Sequence, residues 1–173
     1  MPHFVVDRLE ADHDTSGFES GDVELDRWLT KSARDSDGRN ITRTWVLRRD
    51  DRVAGYHVAG YYAVAPCTLD RGGLTQRQAR GLPMQMPAYL IAKLALDRRL
   101  QGQGLGSHLL MSALERIAAG GADLGGRYAV VDAINDRATS FYLHHGFEPL
   151  SGATGRLLLP VKDIRDAIAR HRT

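Results

Sequence analysis

The sequence predicts a single mixed α/β domain, and three observations carry that expectation. The first is a βαβ pattern in mid-chain. The apolar run Ala88 to Leu96, interrupted only by Lys93, leads through a glycine-rich turn into a helical repeat and then a second apolar run, Tyr128 to Asp132. The second is a set of strand-like runs around it, Thr42 to Leu47 and Val53 to Val64 before, Phe147 to Leu150 and Arg156 to Val161 after. The third is composition. With 43% hydrophobic and 25% charged residues, a chain of 173 residues can bury one core, so 1–173 reads as one domain.

The elements follow in order. Phe4 to Leu9 reads as a first strand, followed by a polar turn rich in Asp, Ser and Gly. Leu25, Trp28, Leu29 and Ser32 recur at helical spacing, so Asp22 to Arg34 reads as an amphipathic helix, with Asp35 to Asn40 a loop. Asp50-Asp51 marks the turn of a hairpin between the two early strand-like runs. From Pro66 to Pro87 the chain turns rich in Pro and Gly, which predicts a surface connection with a short helix around Leu74 to Ala79. Its functional counterpart is a substrate-side loop. Leu105, Leu109, Ala113 and Ile117 share one face of a helix from Leu105 to about Ala119, which Gly120-Gly121 ends. Asp136 to His145 is a short helix stopped at Gly146, and a basic helical tail closes the chain.

Composition excludes several classes. No run reaches the unbroken apolar length that a membrane helix needs. Met1 to Asp7 lacks the basic and apolar regions of a secretory signal. Cys67 is the only cysteine, so neither a disulfide framework nor a cysteine metal cluster is expected, and no other metal-ligand cluster assembles. The expectation is a cytoplasmic protein without a metal. The formal net charge is +2 and arginine far outnumbers lysine, which allows a polyanionic ligand without demanding one. Any single arginine could equally sit on a solvated face.

The chemistry concentrates in Arg98-Arg99-Leu100-Gln101-Gly102-Gln103-Gly104-Leu105-Gly106-Ser107, between a buried strand and a helix. Glycines at alternate positions let the backbone turn tightly and approach a ligand. The first turn of the helix leaves unpaired N–H groups carrying about half a positive charge. Together they suit a pyrophosphate. A nucleoside-triphosphate loop requires Gly-Lys before Ser or Thr, and no lysine is present. A dinucleotide fingerprint requires a third glycine where this chain has Ser107 or Leu109, although Asp132 does close the next strand.

Gln101-x-x-Gly104-x-Gly106 resembles the Q/R-x-x-G-x-G/A signature of the GNAT N-acetyltransferases, and Asn135-x-x-Ala138-x-x-x-Tyr142-x-x-x-Gly146-Phe147 is similar to that family's second landmark. The resemblance spans Phe4 to Val161. It implies a twisted mixed sheet with splayed middle strands flanked by helices, and acetyl-CoA as cofactor. The pyrophosphate would lie on Gln101, Gly102, Gln103, Gly104, Leu105, Gly106 and Ser107. The pantetheine arm would pair with the backbone of Leu94, Ala95 and Leu96, as an amide-bearing arm can satisfy a free strand edge.

In the family, the tyrosine matching Tyr142 protonates the departing thiolate. A phenol with a pKa near ~10 keeps its proton at neutral pH and can act as a general acid. Without that role, Tyr142 would be a half-buried core residue. Asn135 reads as a helix cap, to which the resemblance adds a cofactor contact. No general base stands out among Glu115, Asp132, His144 and His145. An α-amine with a pKa near ~8 is partly neutral at pH 7, whereas a lysine amine near ~10.4 needs more help, so the missing base favours an α-amine acceptor.

Phe18-x-Ser20-Gly21-x-x-x-Leu25-Asp26-x-Trp28-Leu29, Leu94 to Asp97 with Leu100 to Gly106, and Phe141-Tyr142 resemble a narrower subgroup, the toxins of type II toxin–antitoxin pairs. That resemblance implies acetylation of the α-amine of aminoacyl-tRNA, a block to translation, a ribbon-helix-helix antitoxin and a homodimer. A tRNA requires basic surface, for which Arg34, Arg39, Arg43, Arg77 and Arg80 are candidates, with Arg165, Arg170, His171 and Arg172 in the tail. The rival expectations are a GNAT enzyme for a small amine, antibiotic or protein N-terminus, and a non-catalytic module binding CoA or a dinucleotide.

Overall fold

The computed structural model describes residues 3–49, 56–152 and 155–172. The strands are β1 (Phe4–Arg8), β2 (His13–Asp14), β3 (Arg43–Arg49), β4 (Tyr56–Asp70), β5 (Gln85–Leu96), β6 (Tyr128–Asp132), β7 (Glu148–Pro149) and β8 (Arg156–Pro160). The helices are α1 (Val23–Lys31), α2 (Ala33–Gly38), α3 (Gln76–Ala79), α4 (Leu105–Leu124), α5 (Asp136–His144) and α6 (Val161–His171). The mixed sheet runs β1-β3-β4-β5-β6-β8-β7, with β2 beside β4. The fold class is the mixed α/β one that the strand and helix patterns predict.

The chain forms two compact units. The first comprises residues 1–65 and 92–113. In it β3 pairs antiparallel with β1 and with β4, as the hairpin pattern predicts, with an irregularity at Leu47/Arg48. The predicted Asp50-Asp51 turn and the strand's start at Val53 lie outside the described residues. Leu9, Phe18, Leu29, Ala33, Val46, Val58, Tyr61 and Ala95 form its core, with Leu25 and Trp28 packed against them. Tyr61 is fully buried, and its hydroxyl donates to the Leu25 carbonyl at 2.7 Å, so no buried polar atom is stranded there.

The single helix expected over Asp22 to Arg34 is instead two. Asp22 caps α1 by accepting from the N–H groups of Glu24 and Leu25, and Ser32, at φ −123°, ends it. The chain re-enters helical geometry at Ala33 and continues to Gly38, where a loop was expected. The periodicity of apolar residues does not see this break, because Leu29 and Ala33 both remain on the buried side.

The second unit comprises 66–91 and 114–173. There β5 pairs parallel with β6 over Ala88–Ile91, β6 antiparallel with β8, and β8 with β7. Leu69, Met86, Ala88, Tyr128, Val130 and Leu158 make its core. Two expectations fail in this region. Strand β4 runs on through Pro66 to Asp70, and β5 already begins at Gln85, so the surface connection is shorter than predicted. Pro66 lies beyond the β3 ladder, which stops at Val64, so its missing N–H breaks no bond to β3.

Helix α4 also passes straight through Gly120-Gly121 and ends at Leu124. Gly121 is a packing position, since a Cβ there would lie only 2.7 Å from Val161 Cγ1, whereas one on Gly120 would make ordinary contact with the Tyr89 hydroxyl at 3.4 Å. Glycine inside a helix costs about 1 kcal/mol in propensity, and at Gly121 the neighbouring Val161 leaves no room for a larger residue.

Candidate active site

The site begins at the end of β5. Asp97 is 2% exposed, and its carboxylate accepts from the Arg99 N–H at 3.0 Å and from Arg99 Nε and Nη2, each at 2.9 Å. These bonds hold the carboxyl below the usual range of an aspartate, against the opposing effect of its burial. The Asp97 N–H donates to the Ala59 carbonyl at 2.8 Å. The aspartate thereby fixes the turn Arg98–Leu100 from which the loop springs.

Beyond it, Gly102 and Gly104 both adopt φ +81°, which a side-chain-bearing residue rarely takes, and a Cβ at either would meet nothing within 4 Å. The N–H groups of Gly102, Gln103, Gly104, Leu105 and Gly106 donate to no described residue. Five successive donors therefore remain at a loop that opens directly into the first turn of a 20-residue helix. Amides so arranged, with the helix dipole behind them, form an anion cradle, and the open space at both glycines leaves room for phosphate oxygens. Ser107 sits half-buried in that first turn.

Gln101 occupies a different place from its expected neighbours. Its Nε2 donates to the carbonyls of Ser20 and Leu96, both at 3.0 Å, so the amide holds the loop from behind. The segment leading into α1 is strapped to the same turn. The Arg98 N–H donates to the Glu19 carbonyl at 2.9 Å, and the Arg98 and Glu19 side chains pair at 2.8 Å. Sequence reasoning did not assign these supports. The signal was present in Glu19-Ser20 and in Asp97-Arg98-Arg99, which look like ordinary solvated charges until the turn closes on them.

Leu94, Ala95 and Leu96 close β5, with Ala95 and Leu96 buried and Leu94 partly so. The ladder to β6 covers Ala88–Ile91, so Ala92–Leu96 run on beyond its register.

In the second unit, Asn135 caps α5, its Oδ1 accepting from the Ala138 N–H at 2.8 Å. Tyr142 is 8% exposed, edge-on to Phe141 at 5.2 Å and to Phe147 at 5.4 Å. Burial among these rings pushes its phenol up to about 12. Its hydroxyl bonds to no described residue. The ring is thus held by packing alone, with a protonated oxygen left for another partner.

None of the base candidates gains support. Asp132 is clamped by Arg156 at 2.8 and 2.9 Å, which holds its carboxyl below the usual range. His145 Nδ1 lies 2.8 Å from the Phe141 carbonyl oxygen, and Glu115 and His144 are exposed.

The five arginine candidates divide. Arg34 donates to the carbonyls of Glu10 and His13, at 3.1 and 2.6 Å, and Arg43 bonds Asn40 and Asp37, so both are tied into the first unit. Arg39 forms an exposed pair with Asp35 at 3.6 Å. Arg77 and Arg80, at α3, are exposed with no described side-chain partner.

An anion cradle at a strand–helix junction and a protonated tyrosine after an Asn-capped helix start are the two landmarks that the sequence motifs predicted. The profile of the acetyltransferase (GNAT) family matches residues 6–147. The chain belongs to this family. It is therefore an acetyltransferase, and the mixed sheet is the GNAT fold. Among curated relatives, a tRNA-acetylating toxin of Mycobacterium tuberculosis is 35% identical over 161 residues, 93% of this chain and 94% of its own. Two solved structures extend the likeness. The toxin AtaT complexed with acetyl-methionyl-tRNAfMet is 28% identical, with a TM-score of 0.89 over 96% of this chain and 99% of that one. A tyrosine-to-phenylalanine variant of AtaT, bound to the C-terminus of the antitoxin AtaR and to acetyl-CoA, is 27% identical, with a TM-score of 0.83 over 95% and 98%. No helix among the described residues of this GNAT chain is long and apolar enough to cross a membrane.

Proposed function

We propose that this GNAT enzyme, one domain over 1–173, moves acetyl from acetyl-CoA to the α-amine of aminoacyl-tRNA and thereby blocks translation as the toxin of a type II toxin–antitoxin pair. The observation that carries the cofactor reading is the row of five undonated N–H groups from Gly102 to Gly106, which fits a pyrophosphate. The 35% identity to a tRNA-acetylating toxin over nearly the full length of both chains supports the substrate.

In this reading Gln101 to Ser107 hold the cofactor's phosphates, Gln101 also bracing the loop, and the backbone of Leu94 to Leu96, beyond the β6 ladder, receives the pantetheine arm. Bound acetyl-CoA supplies an activated thioester acyl group. Tyr142 holds a proton on its hydroxyl, ready for the departing sulfur, and its apolar surroundings keep that proton in place. Among the described residues no side chain stands out as a base, so the amine's proton passes to solvent, which suits an α-amine that is partly neutral at pH 7. Asn135 caps α5, and the family resemblance adds a cofactor contact. Arg77 and Arg80 are the candidates left available for tRNA phosphates, while Arg34, Arg39 and Arg43 serve mainly their own unit. The partner is an antitoxin of ribbon-helix-helix type, the active form a homodimer, and the compartment the cytoplasm.

The test offers labelled acetyl-CoA with a panel of charged tRNAs and a panel of free amines. Acetyl transfer to charged tRNA is the expected result. Turnover of free amines alone would overturn the substrate, and growth arrest unrelieved by co-expressed antitoxin would overturn the toxin role.

A further inference from the structure

Lys93 stands apart from the chain's other lysines. Lys31 and Lys162 are exposed, and Lys162 pairs with Asp166 at 2.8 Å. Lys93 lies within β5, immediately before Leu94–Leu96, and is only partly exposed. Its ammonium rests 5.8 Å from the centroid of the Trp28 ring, and no acidic group among the described residues pairs with it. Trp28 in turn stacks on the buried ring of Tyr61, at 5.9 Å and 10° between planes, so the platform under the ammonium is backed by the core. Alternation along the strand puts Lys93 on the face of Ala95, which packs in the same core as Leu29 of α1.

A partly buried lysine with no carboxylate partner is uncommon, because withdrawing an ammonium from water is unfavourable unless something compensates. The Trp28 face compensates in part through cation–π attraction. It leaves the charge itself unneutralised, beside the strand assigned to the pantetheine arm.

We infer that Lys93 is a substrate-binding residue whose ammonium takes a backbone phosphate of the acceptor end of the charged tRNA. With the ammonium placed over the Trp28 ring, one phosphodiester oxygen completes an ion pair that no described acidic group supplies. This inference rests on the proposed tRNA reading. Being an unspecific charge contact, it serves every tRNA with the same single-stranded end equally, and selection among tRNAs falls to other residues.

Lys93→Met keeps the stem over Trp28 and removes the charge, whereas Lys93→Arg keeps the charge. Initial rates of acetyl transfer to charged tRNA are measured for both variants and the parent enzyme across a series of salt concentrations. For Lys93→Met, KM for charged tRNA should rise on the order of tenfold at low salt, with KM for acetyl-CoA unchanged. The slope of log kcat/KM against log salt should become shallower by roughly 0.7, the value of one single-strand phosphate contact. Lys93→Arg should keep the parental slope. An unchanged slope in Lys93→Met overturns the inference, and a rise confined to KM for acetyl-CoA assigns the ammonium to the cofactor's phosphates and also overturns it. If Lys93→Met lowers the melting temperature, Lys93→Gln gives the same slope comparison. A parent enzyme that acetylates no charged tRNA refutes the underlying reading, a result separate from the slope.

Discussion

Asp97 and Arg99 form a closed clamp two residues apart, with the arginine side chain on both oxygens of a carboxylate that is almost wholly buried. The clamp sits where the strand becomes the glycine loop, and its charge state follows pH in a definite direction.

Asp97 has a lowered pKa in the folded protein, so its contribution to stability is complete above about 4, the unfolded value, and fades as pH falls through the folded value. Asp97→Asn should lower the melting temperature at pH 7 and weaken acetyl-CoA binding. Its difference from the parent should shrink below about pH 4. Thermal melts at pH 3, 5 and 7 check this, and a constant difference across that series would count against the clamp.

Tyr142→Phe removes a hydroxyl that bonds to no described residue, so folding should be unaffected within about 0.5 kcal/mol. Loss of a general acid should cut kcat by about 10²–10⁴-fold while KM for acetyl-CoA stays within a factor of two. Because burial pushes the phenol up to about 12, the parent's rate should show no loss from phenol ionisation below pH 10.

Gly104→Ala places a methyl group in open space at φ +81°. Backbone strain alone should cost about 1–2 kcal/mol of stability. Gly17, at φ +75° with nothing within 4 Å, is the matched control. Gly17→Ala should destabilise to a similar degree with CoA affinity intact, whereas Gly104→Ala should also lose CoA binding. Calorimetric titration of both variants with CoA, beside thermal melts, separates the cradle from mere strain.

Gly121→Ala gains helix propensity of about 1 kcal/mol but drives a Cβ to 2.7 Å from Val161 Cγ1. Overpacking of this kind costs about 1–3 kcal/mol, so the variant should be less stable overall. Val161→Ala should relieve it, making the double variant more stable than the two single effects summed. Denaturant midpoints of the four proteins measure the coupling.

These residues also show where the sequence was informative. Strand β6 matched its predicted limits because Tyr128 to Val131 is apolar at every position and closes on Asp132. The loop was legible from its glycines, and Gly102 and Gly104 do take the backbone geometry that only glycine adopts readily. Helix α4 runs past its predicted end because a glycine pair signals a stop locally, while the neighbour that excludes a side chain at Gly121, Val161, lies tens of positions away. The motif position of Gln101 implies a cofactor contact, whereas its bond to Ser20 depends on a partner that no local pattern reveals. Lys93 looked like an interruption of an apolar strand, and only the ring of Trp28 gives it a place.

Ser20 joins two parts of the molecule that would otherwise titrate their ligands separately. Its carbonyl receives Gln101, and its hydroxyl donates to Asp26 at 2.6 Å inside α1. The glycine loop and the helix that carries Trp28 are therefore tied through a single residue. Any coupling between a ligand on the loop and one on α1 would pass through this link and, by thermodynamic linkage, would be equal in both directions.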